Sequence, residues 1–375
     1  MRHLIELFLF FVVLMALPDW YIYRQYVNRW RQKGLRWLYC LPSITLFIGM
    51  IIVFGSFEPR PDAMNRLGIF LITFLCINVP KAIFALTRPL FKTYISLAIS
   101  LLAMAYLVFG ATEGKEHFQV KEVTIESEDI PQGFDGYRIV QLADIHAGSW
   151  GENTQPMQKA VDIINHLQPD LIVFTGDLVN NLASELNPFI PVFSQLIAKH
   201  GVYSVLGNHD YSTYIKWDTP QQREAQLDSL KTKQAQMGWT LLNNQHVKLY
   251  HQNDSIAIIG VENSGRPPFP DHAHLSEAMA GTEGMFQILL SHDPSHWRRE
   301  VLPKTDIQLM LSGHTHAMQT KIFGFSPAQF VYPENDGLYQ EGKQMLYVNI
   351  GLGHLLYPIR LGAWPEITLL TLKAI

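Results

Sequence analysis

Nine residues of metal-ligating or proton-transferring type close short apolar runs in the later part of this 375-residue chain. They are Asp144 and His146 in "LADIH", Asp177 in "FTGD", Asn208, His209 and Asp210 in "LGNHD", His292 in "LLSHD", and His314 and His316 in "LSGHTH". Imidazoles, carboxylates and an amide oxygen in this number exceed the four ligands of one tetrahedral zinc. They suit two metal ions sharing a carboxylate and a water. Nitrogen and oxygen donors without thiolate favour manganese, iron or zinc over calcium or magnesium alone. Gly176, Gly207 and Gly313 precede Asp177, Asn208 and His314, and let the backbone turn sharply and approach closely.

Each motif taken singly also reads as a turn or a cap. A second His-x-His, His272 and His274 in "DHAH", follows no apolar strand and reads as a surface pair ahead of a helix from Leu275. In "HWRRE", Arg298 and Arg299 read equally as phosphate contacts or as an exposed helix start. The aromatic stretch "FGFSPAQFVYPENDGLY", Phe323 to Tyr339, reads as a loop packed on a sheet, with a cleft rim or a headgroup contact as the other reading.

The elements that must position these residues are visible as periodicity. The runs "YRIVQLADIH", "PDLIVFTGD", "VYSVLGNHD", "SIAIIGVENS", "FQILLSHDP", "IQLMLSGHTH" and "MLYVNIGLG" are β-rich, and most end in polar clusters. "TQPMQKAVDIINHLQ" predicts a helix capped at Thr154, with Val161, Ile164 and Leu167 on one face, and "TPQQREAQLDSLKTKQAQMG" predicts another that stops at Gly238. "WTLLNNQHVKLYHQNDSIAIIG" predicts consecutive antiparallel strands around an Asn-Asp turn. Strands mixed with helices make a layered α/β domain with sheets of mixed direction. Loops beyond the carboxyl ends of such strands converge, so distant segments meet in one cleft.

Together and in order, "DIH", "GD", "GNHD", "SHDP" and "GHTH" resemble the blocks of the calcineurin-like metallophosphoesterases, over about Tyr137 to the C-terminus. The resemblance implies two mixed β-sheets flanked by helices. It implies Asp144, His146 and His316 on one metal, Asp177 bridging, and Asn208, His292 and His314 on the other. For His209 it implies contact with phosphate, as general acid or charge stabiliser, and with a reference pKa of ~6.5 this imidazole can be protonated beside a phosphate dianion. A bridging hydroxide would attack phosphorus in line, releasing phosphate or a phosphomonoester plus an alcohol. Two positions depart from the pattern. Some members pair the histidine with an aspartate three residues after the Gly-Asp aspartate; here that position is Asn180, which leaves either Asp210 as the candidate orienter or a more loosely oriented His209. Membrane-associated bacterial members commonly follow Gly-His-x-His with Gly-Gly-Gln; here it is Ala317-Met318-Gln319.

Residues up to about 112 are of another kind, dominated by Leu, Ile, Phe and Val. Four apolar stretches, 4–22, 37–57, 67–87 and 93–111, approach or reach the ~20 residues that span a bilayer. The first lacks a small-residue cleavage site and runs into Trp20, Tyr21 and Tyr23, which favours a retained helix over a signal peptide. Arg24, Arg29, Arg31, Lys33 and Arg36 follow the first stretch, and Arg88 and Lys92 the third. The connection between the second and third has Arg60 and Arg66 offset by Glu58 and Asp62. The basic loops read as cytoplasmic, and four spans then place the catalytic part outside the cytoplasm of the inner membrane. Lys81 is the main charge within a span, and its length lets it snorkel. The domain plan is an anchor over 1–112, a linker and first strand over 113–136, and a phosphoesterase domain over 137–375.

This layout is similar to bacterial membrane-associated members related to UDP-2,3-diacylglucosamine hydrolases, which implies a phosphorylated small-molecule or lipid-linked substrate. A rival reading is a degenerate metal site that senses a phosphorylated ligand, with the spans relaying the signal. Cys40 and Cys76 both lie in apolar stretches, so the later part has neither a disulfide nor a thiolate site. A formal net charge of −4 gives no nucleic-acid footprint.

Overall fold

Strands that are apolar on both faces need cover on both sides, and the computed structural model, which describes residues 2–55 and 61–375, supplies it as four layers. One sheet has the order β1 (Gln119–Ser127), β12 (Glu366–Ala374), β2 (Arg138–Leu142), β3 (Leu171–Phe174), β4 (Val202–Ser204), β5 (Trp239–Leu241). The other runs β10 (Gly337–Glu341), β11 (Gln344–Val348), β9 (Leu309–Ser312), β8 (Phe286–Leu290), β7 (Asp254–Gly260), β6 (Gln245–His251). The alternation of side chains along each strand sorts them between layers. Ile139, Leu171 and Val173 of the first sheet meet Ile258, Ile288, Leu290, Leu309 and Leu311 of the second. On the outer face of the first sheet, Val140, Leu142, Ile172 and Phe174 pack with Met157, Val161 and Ile164. These last three belong to the helix Gln155–His166; Thr154 precedes it, but its side chain makes no capping hydrogen bond, contrary to expectation. Ile259, Leu289 and Met310 lie on the opposite outer face with Leu275, Trp297 and Val301.

Pairing directions set where the site forms. Strands β2, β3 and β4 are mutually parallel, as are β7, β8, β9 and β11. Each set therefore ends at one edge of its sheet. Strand β12 lies antiparallel to β2, β10 to β11 and β6 to β7, so both sheets are mixed. One expectation fails. The antiparallel run predicted from Trp239 holds only for β6 and β7, because β5 pairs in parallel with β4 in the other sheet. The helix Pro220–Gln236 makes that crossover, starting at Thr219, whose side chain accepts from Gln222 N, and ending before Gly238 at φ +79°.

The chain divides into two compact units, Met1–Gly114 with Leu356–Ile359, and Lys115–Leu355 with Arg360–Ile375. The first contains α1 (Arg2–Gln25), α2 (Lys33–Gly55), α3 (Pro61–Thr87) and α4 (Thr93–Ala111). Among the described residues, three segments are long and apolar enough to cross a membrane: Lys33–Gly55, Arg66–Thr87 and Thr93–Glu116. The expected four spans are thus met by three, and α1 is a continuous helix of 24 residues that is not among them. The end of the predicted second stretch and the connection residues Glu58 and Arg60 fall outside the described residues. Lys81 finds partners within the bundle. Its Nζ lies 2.8 Å from Asp19 Oδ1 and 2.9 Å from Ser43 Oγ, and Tyr39 donates to the same Asp19 oxygen at 2.9 Å. Placing one unpaired charge in hydrocarbon is costly, so pairing across three helices is the lower-energy arrangement.

Candidate metal centre

The carboxyl ends of β2, β3 and β4 carry Asp144, His146, Asp177 and Asn208 toward His292, His314 and His316 from β8 and β9. Ligand atoms of Asp144, His146 and His316 lie within 4.8 Å of one another, and so do those of Asp177, His292 and His314. In the first group His316 Nε2 is 3.1 Å from His146 Nε2 and 3.3 Å from Asp144 Oδ1. In the second, His292 Nε2 is 3.2 Å from Asp177 Oδ2, 3.1 Å from Asn208 Oδ1 and 3.2 Å from His314 Nδ1. Asp177 Oδ2 also lies 3.6 Å from His146 Nε2, so one oxygen faces both groups.

The donor set fits two divalent cations. Bare imidazole nitrogens this close gain little from each other, whereas a cation takes the lone pairs of all. Partners behind the rings fix which nitrogen is free. His292 Nδ1 lies 2.8 Å from the Thr175 carbonyl, which only accepts, so Nδ1 carries a proton and Nε2 is the nitrogen that faces the cluster. His314 Nε2 lies 2.7 Å from the Tyr332 hydroxyl and leaves Nδ1 turned to the cluster. Asp144, His146 and His292 are fully buried. Burial works against charge on His292, but Asp177 and Asp144 outweigh it and push its pKa up to about 10. Burial likewise opposes charge on Asp177, and His292 and His209 nonetheless hold it well below the usual carboxylate range.

Local backbone geometry accounts for the glycines. Asp144, His146, Asp177, His314 and His316 all have positive φ, between 48° and 77°, a conformation that costs energy in non-glycine residues and clusters at functional sites. Their neighbours must leave room. A Cβ on Gly207 would sit 2.3 Å from Asp177 Oδ1, and one on Gly313 2.5 Å from Asp144 Oδ2.

Two carboxylates organise the segment after β3. Asp210 accepts from the backbone N–H of Asp177, Leu178 and Val179 at 2.9, 2.9 and 3.2 Å, and from Gly207 at 2.9 Å. Glu185 accepts from Asn180, Asn181 and Leu182 at 2.6, 3.2 and 3.0 Å. Six consecutive amides are thereby held by two side chains. Burial first, then the charge of Asp177, push Asp210 up to about 7, against the pull of its backbone donors. The expected pairing of Asp210 with His209 is replaced: His209 Nδ1 lies 2.8 Å from the backbone carbonyl of Asn180. The Asp210 carboxylate is instead aimed at the chain that carries Asp177. Burial pulls the His209 pKa down, with Asp177 acting in the opposite sense.

The other polar motifs of the sequence lie elsewhere. The His272 ring lies tilted against Tyr211 with ring centres 5.0 Å apart, and exposed His274 lies 3.1 Å from Glu277. Arg298 bonds Glu334 and Glu341, and Arg299 donates to the carbonyls of Ser264 and Gly265. The aromatic stretch packs on a sheet at its far end, where Tyr339 of β10 lies against the outer cluster of the second sheet, whereas Phe323 and Phe330 are exposed. Residues His316 to Gln319 form a left-handed turn in which Ala317 and Met318 have φ of 48° and 46°, a conformation that glycine adopts freely.

Sequence reasoning missed Glu185, Tyr332, Arg360 and the Gly351–His354 turn. The turn had a signal, a Gly-x-Gly closing a β-rich run, and it packs against Asp144: Gly353 N donates to Asp144 O at 2.8 Å. Arg360 is fully buried, donates to the carbonyls of Ile350, Gly353 and Ala363, and reaches His316 Nδ1 at 3.1 Å.

Comparison with known proteins agrees with this geometry. Residues 137–318 match the calcineurin-like phosphoesterase family, and residues 1–115 match the family described as probable calcineurin-like phosphoesterase, transmembrane domain. The chain is 34% identical over 265 residues to the uncharacterized metallophosphoesterase YkuE of Bacillus subtilis, covering 68% of this chain and 86% of that protein. It is 28% identical over 407 residues to a transmembrane protein with metallophosphoesterase domain of Danio rerio, covering 98% and 89% respectively. The uncharacterized metallophosphoesterase Cj0846 of Campylobacter jejuni is 28% identical over 398 residues, with 98% of each chain covered.

Proposed function

This chain belongs to the calcineurin-like phosphoesterases and carries their transmembrane domain, and from that premise we propose that it is a membrane-anchored hydrolase of phosphoester bonds working with two divalent metal ions. The observation that carries the reading is Asp177 Oδ2, which faces His146 on one side and His292 on the other. Asp144, His146 and His316 would hold one ion and Asn208, His292 and His314 the other, with Asp177 placed to serve both. Manganese, iron or zinc suits these donors. Such a pair supplies Lewis acidity, making water nucleophilic near neutral pH and neutralising charge on phosphoryl oxygens.

The chain's own groups complete the chemistry. The Asn180 carbonyl holds His209 by Nδ1, which turns Nε2 away from that carbonyl. Burial favours the neutral ring in the free site, and a phosphate dianion beside it favours the protonated one. His209 is then a general acid that gives its Nε2 proton to the leaving oxygen. Asp210 acts indirectly, by holding the backbone of Asp177.

The substrate class we infer is a phosphodiester, pyrophosphate or monoester, on a lipid-linked or other cell-envelope molecule, supported by the attached membrane domain. Helix α1 is taken as a fourth span. In its support, Phe11 and Met15 pack with Leu46, Met50, Leu71 and Phe74 of α2 and α3, and its Asp19 is neutralised by Lys81. With the basic connections cytoplasmic, four spans put the phosphoesterase unit on the outer side of the inner membrane.

Purified full-length protein, stripped with chelator and reloaded with manganese, should hydrolyse bis(p-nitrophenyl) phosphate, and Asp177→Ala or His209→Ala should abolish turnover. Absence of turnover with manganese, iron and zinc alike refutes the enzyme. Reporter fusions at residue 115 test the topology, and a cytoplasmic signal overturns it.

A further inference from the structure

The loop after the histidine pair has a tip that the catalytic reading does not explain. Ile322 and Phe325 exchange both backbone hydrogen bonds, at 2.9 and 3.0 Å, closing a two-residue turn on Phe323 and Gly324. Both central residues have positive φ, 51° and 83°. Asn, Asp or Gly fills the first position of such a turn at least cost. Here it is a phenylalanine, for which positive φ is a true outlier. The same side chain is wholly exposed, at 105% of its reference area. Two unfavourable features thus coincide on one residue.

The surroundings extend the pattern. Phe330 and Val331 are 81% and 54% exposed, and the Phe325 and Phe330 rings contact each other at 5.6 Å. From Ile322 to Tyr332 there is no charged residue. The loop is nonetheless fixed to the metal-ligand segment. Ser326 Oγ donates to Ala317 O at 2.5 Å, and Tyr332 meets His314 Nε2 at 2.7 Å. Its apolar tip is therefore carried rigidly beside the site's ligands.

We propose that this tip inserts into the interface of the bilayer that holds the chain's own helices. Three observations identify a lipid surface as the occupant. Among the described residues, three helices are long and apolar enough to cross a membrane. Seven residues, Thr112 to Phe118, separate α4 from β1, a tether that reaches roughly 25 Å when fully extended. An uncharged run rich in phenylalanine matches the boundary between headgroups and acyl chains, where apolar side chains of surface-bound segments bury. Insertion places the opening beside the loop where phosphoesters are presented by the bilayer. That consequence rests on the proposed function; the insertion itself does not.

The test uses full-length protein in nanodiscs of phosphatidylcholine and phosphatidylglycerol, in a Cys40→Ala, Cys76→Ala background. A bimane probe is attached through Phe323→Cys or, separately, Val331→Cys, the second leaving Phe323 in place. Exposed Tyr250, on β6, serves as the control position as Tyr250→Cys. Spin-labelled lipids with a shallow nitroxide should quench the probes at 323 and 331 and leave the one at 250 bright. Equal quenching at all three positions overturns the proposal. So does a probe at 323 that is shielded from water yet untouched by the labelled lipids, which would assign the tip to a protein partner. Repeating the measurement in Asp177→Ala separates the outcome from catalysis, because insertion should persist when turnover is gone.

Discussion

His354 makes the folded protein sensitive to mild acid. Its ring is 4% exposed, packs on Trp150 with centres 4.9 Å apart, and has no hydrogen-bond partner at Nε2. Burial, with Lys115 and Arg360 acting in the same direction, pushes its pKa down to about 3. An unfolded imidazole titrates near ~6.5, so between those values the unfolded chain takes up a proton that the folded one refuses. The contribution to stability is complete above about pH 6.5, falls as pH drops, and stops falling near pH 3, where both states are protonated. The loss is about 2 kcal/mol at pH 5 and about 4 kcal/mol at pH 3. For a unit of this size, the pH 5 figure corresponds to roughly 4–8 °C in Tm. His354→Leu removes the titration while retaining similar volume, and any packing penalty it brings is the same at both pH values. Thermal melts of the two full-length proteins in nanodiscs, at pH 7.5 and pH 5, give the double difference. Wild type should lose about 4–8 °C more than His354→Leu on acidification. Equal losses would refute the reasoning, since every other titrating group is common to both proteins. The consequence reaches the site, because the turn carrying His354 backs Asp144 through Gly353 N and Leu352 N, the latter donating to Ala143 O at 2.9 Å.

Two further substitutions separate roles near the metals. Asp210→Asn turns one acceptor oxygen into a donor facing two backbone N–H groups, whichever way the amide is placed. It should lower the metal content measured by elemental mass spectrometry, whereas full metal content with a shifted pH–rate profile would mean that Asp210 acts through His209. Met318→Gly relieves a left-handed residue whose side chain is 39% exposed, and should stabilise by about 1 kcal/mol. A lowered Tm would show that the methionine side chain contributes more than its backbone costs.

What the sequence made legible, and what it hid, follows from what each interaction asks of residue type. Metal ligation demands particular side chains at strand ends, so Asp144, His146, Asp177, Asn208, His292, His314 and His316 stood out, and the structure brings them together. Strand existence was readable from apolar runs, but the three residues of β5 carry no information on which neighbour they join, and its sheet was misassigned. The orienter of His209 was hidden for a different reason. A backbone carbonyl does the work, and every residue has one, so the change from aspartate to Asn180 signalled a loss where the bond had only moved to the main chain. That bond in turn depends on Glu185 and Asp210, which fix six consecutive amides from Asp177 to Leu182 and hence the direction of the Asn180 carbonyl. The two acidic side chains that hold this catalytic segment accept from main-chain amides, a role that any well-placed carboxylate can fill. It therefore leaves little mark on a motif, although both the placement of Asp177 between the two ligand groups and the orientation of His209 rest on it.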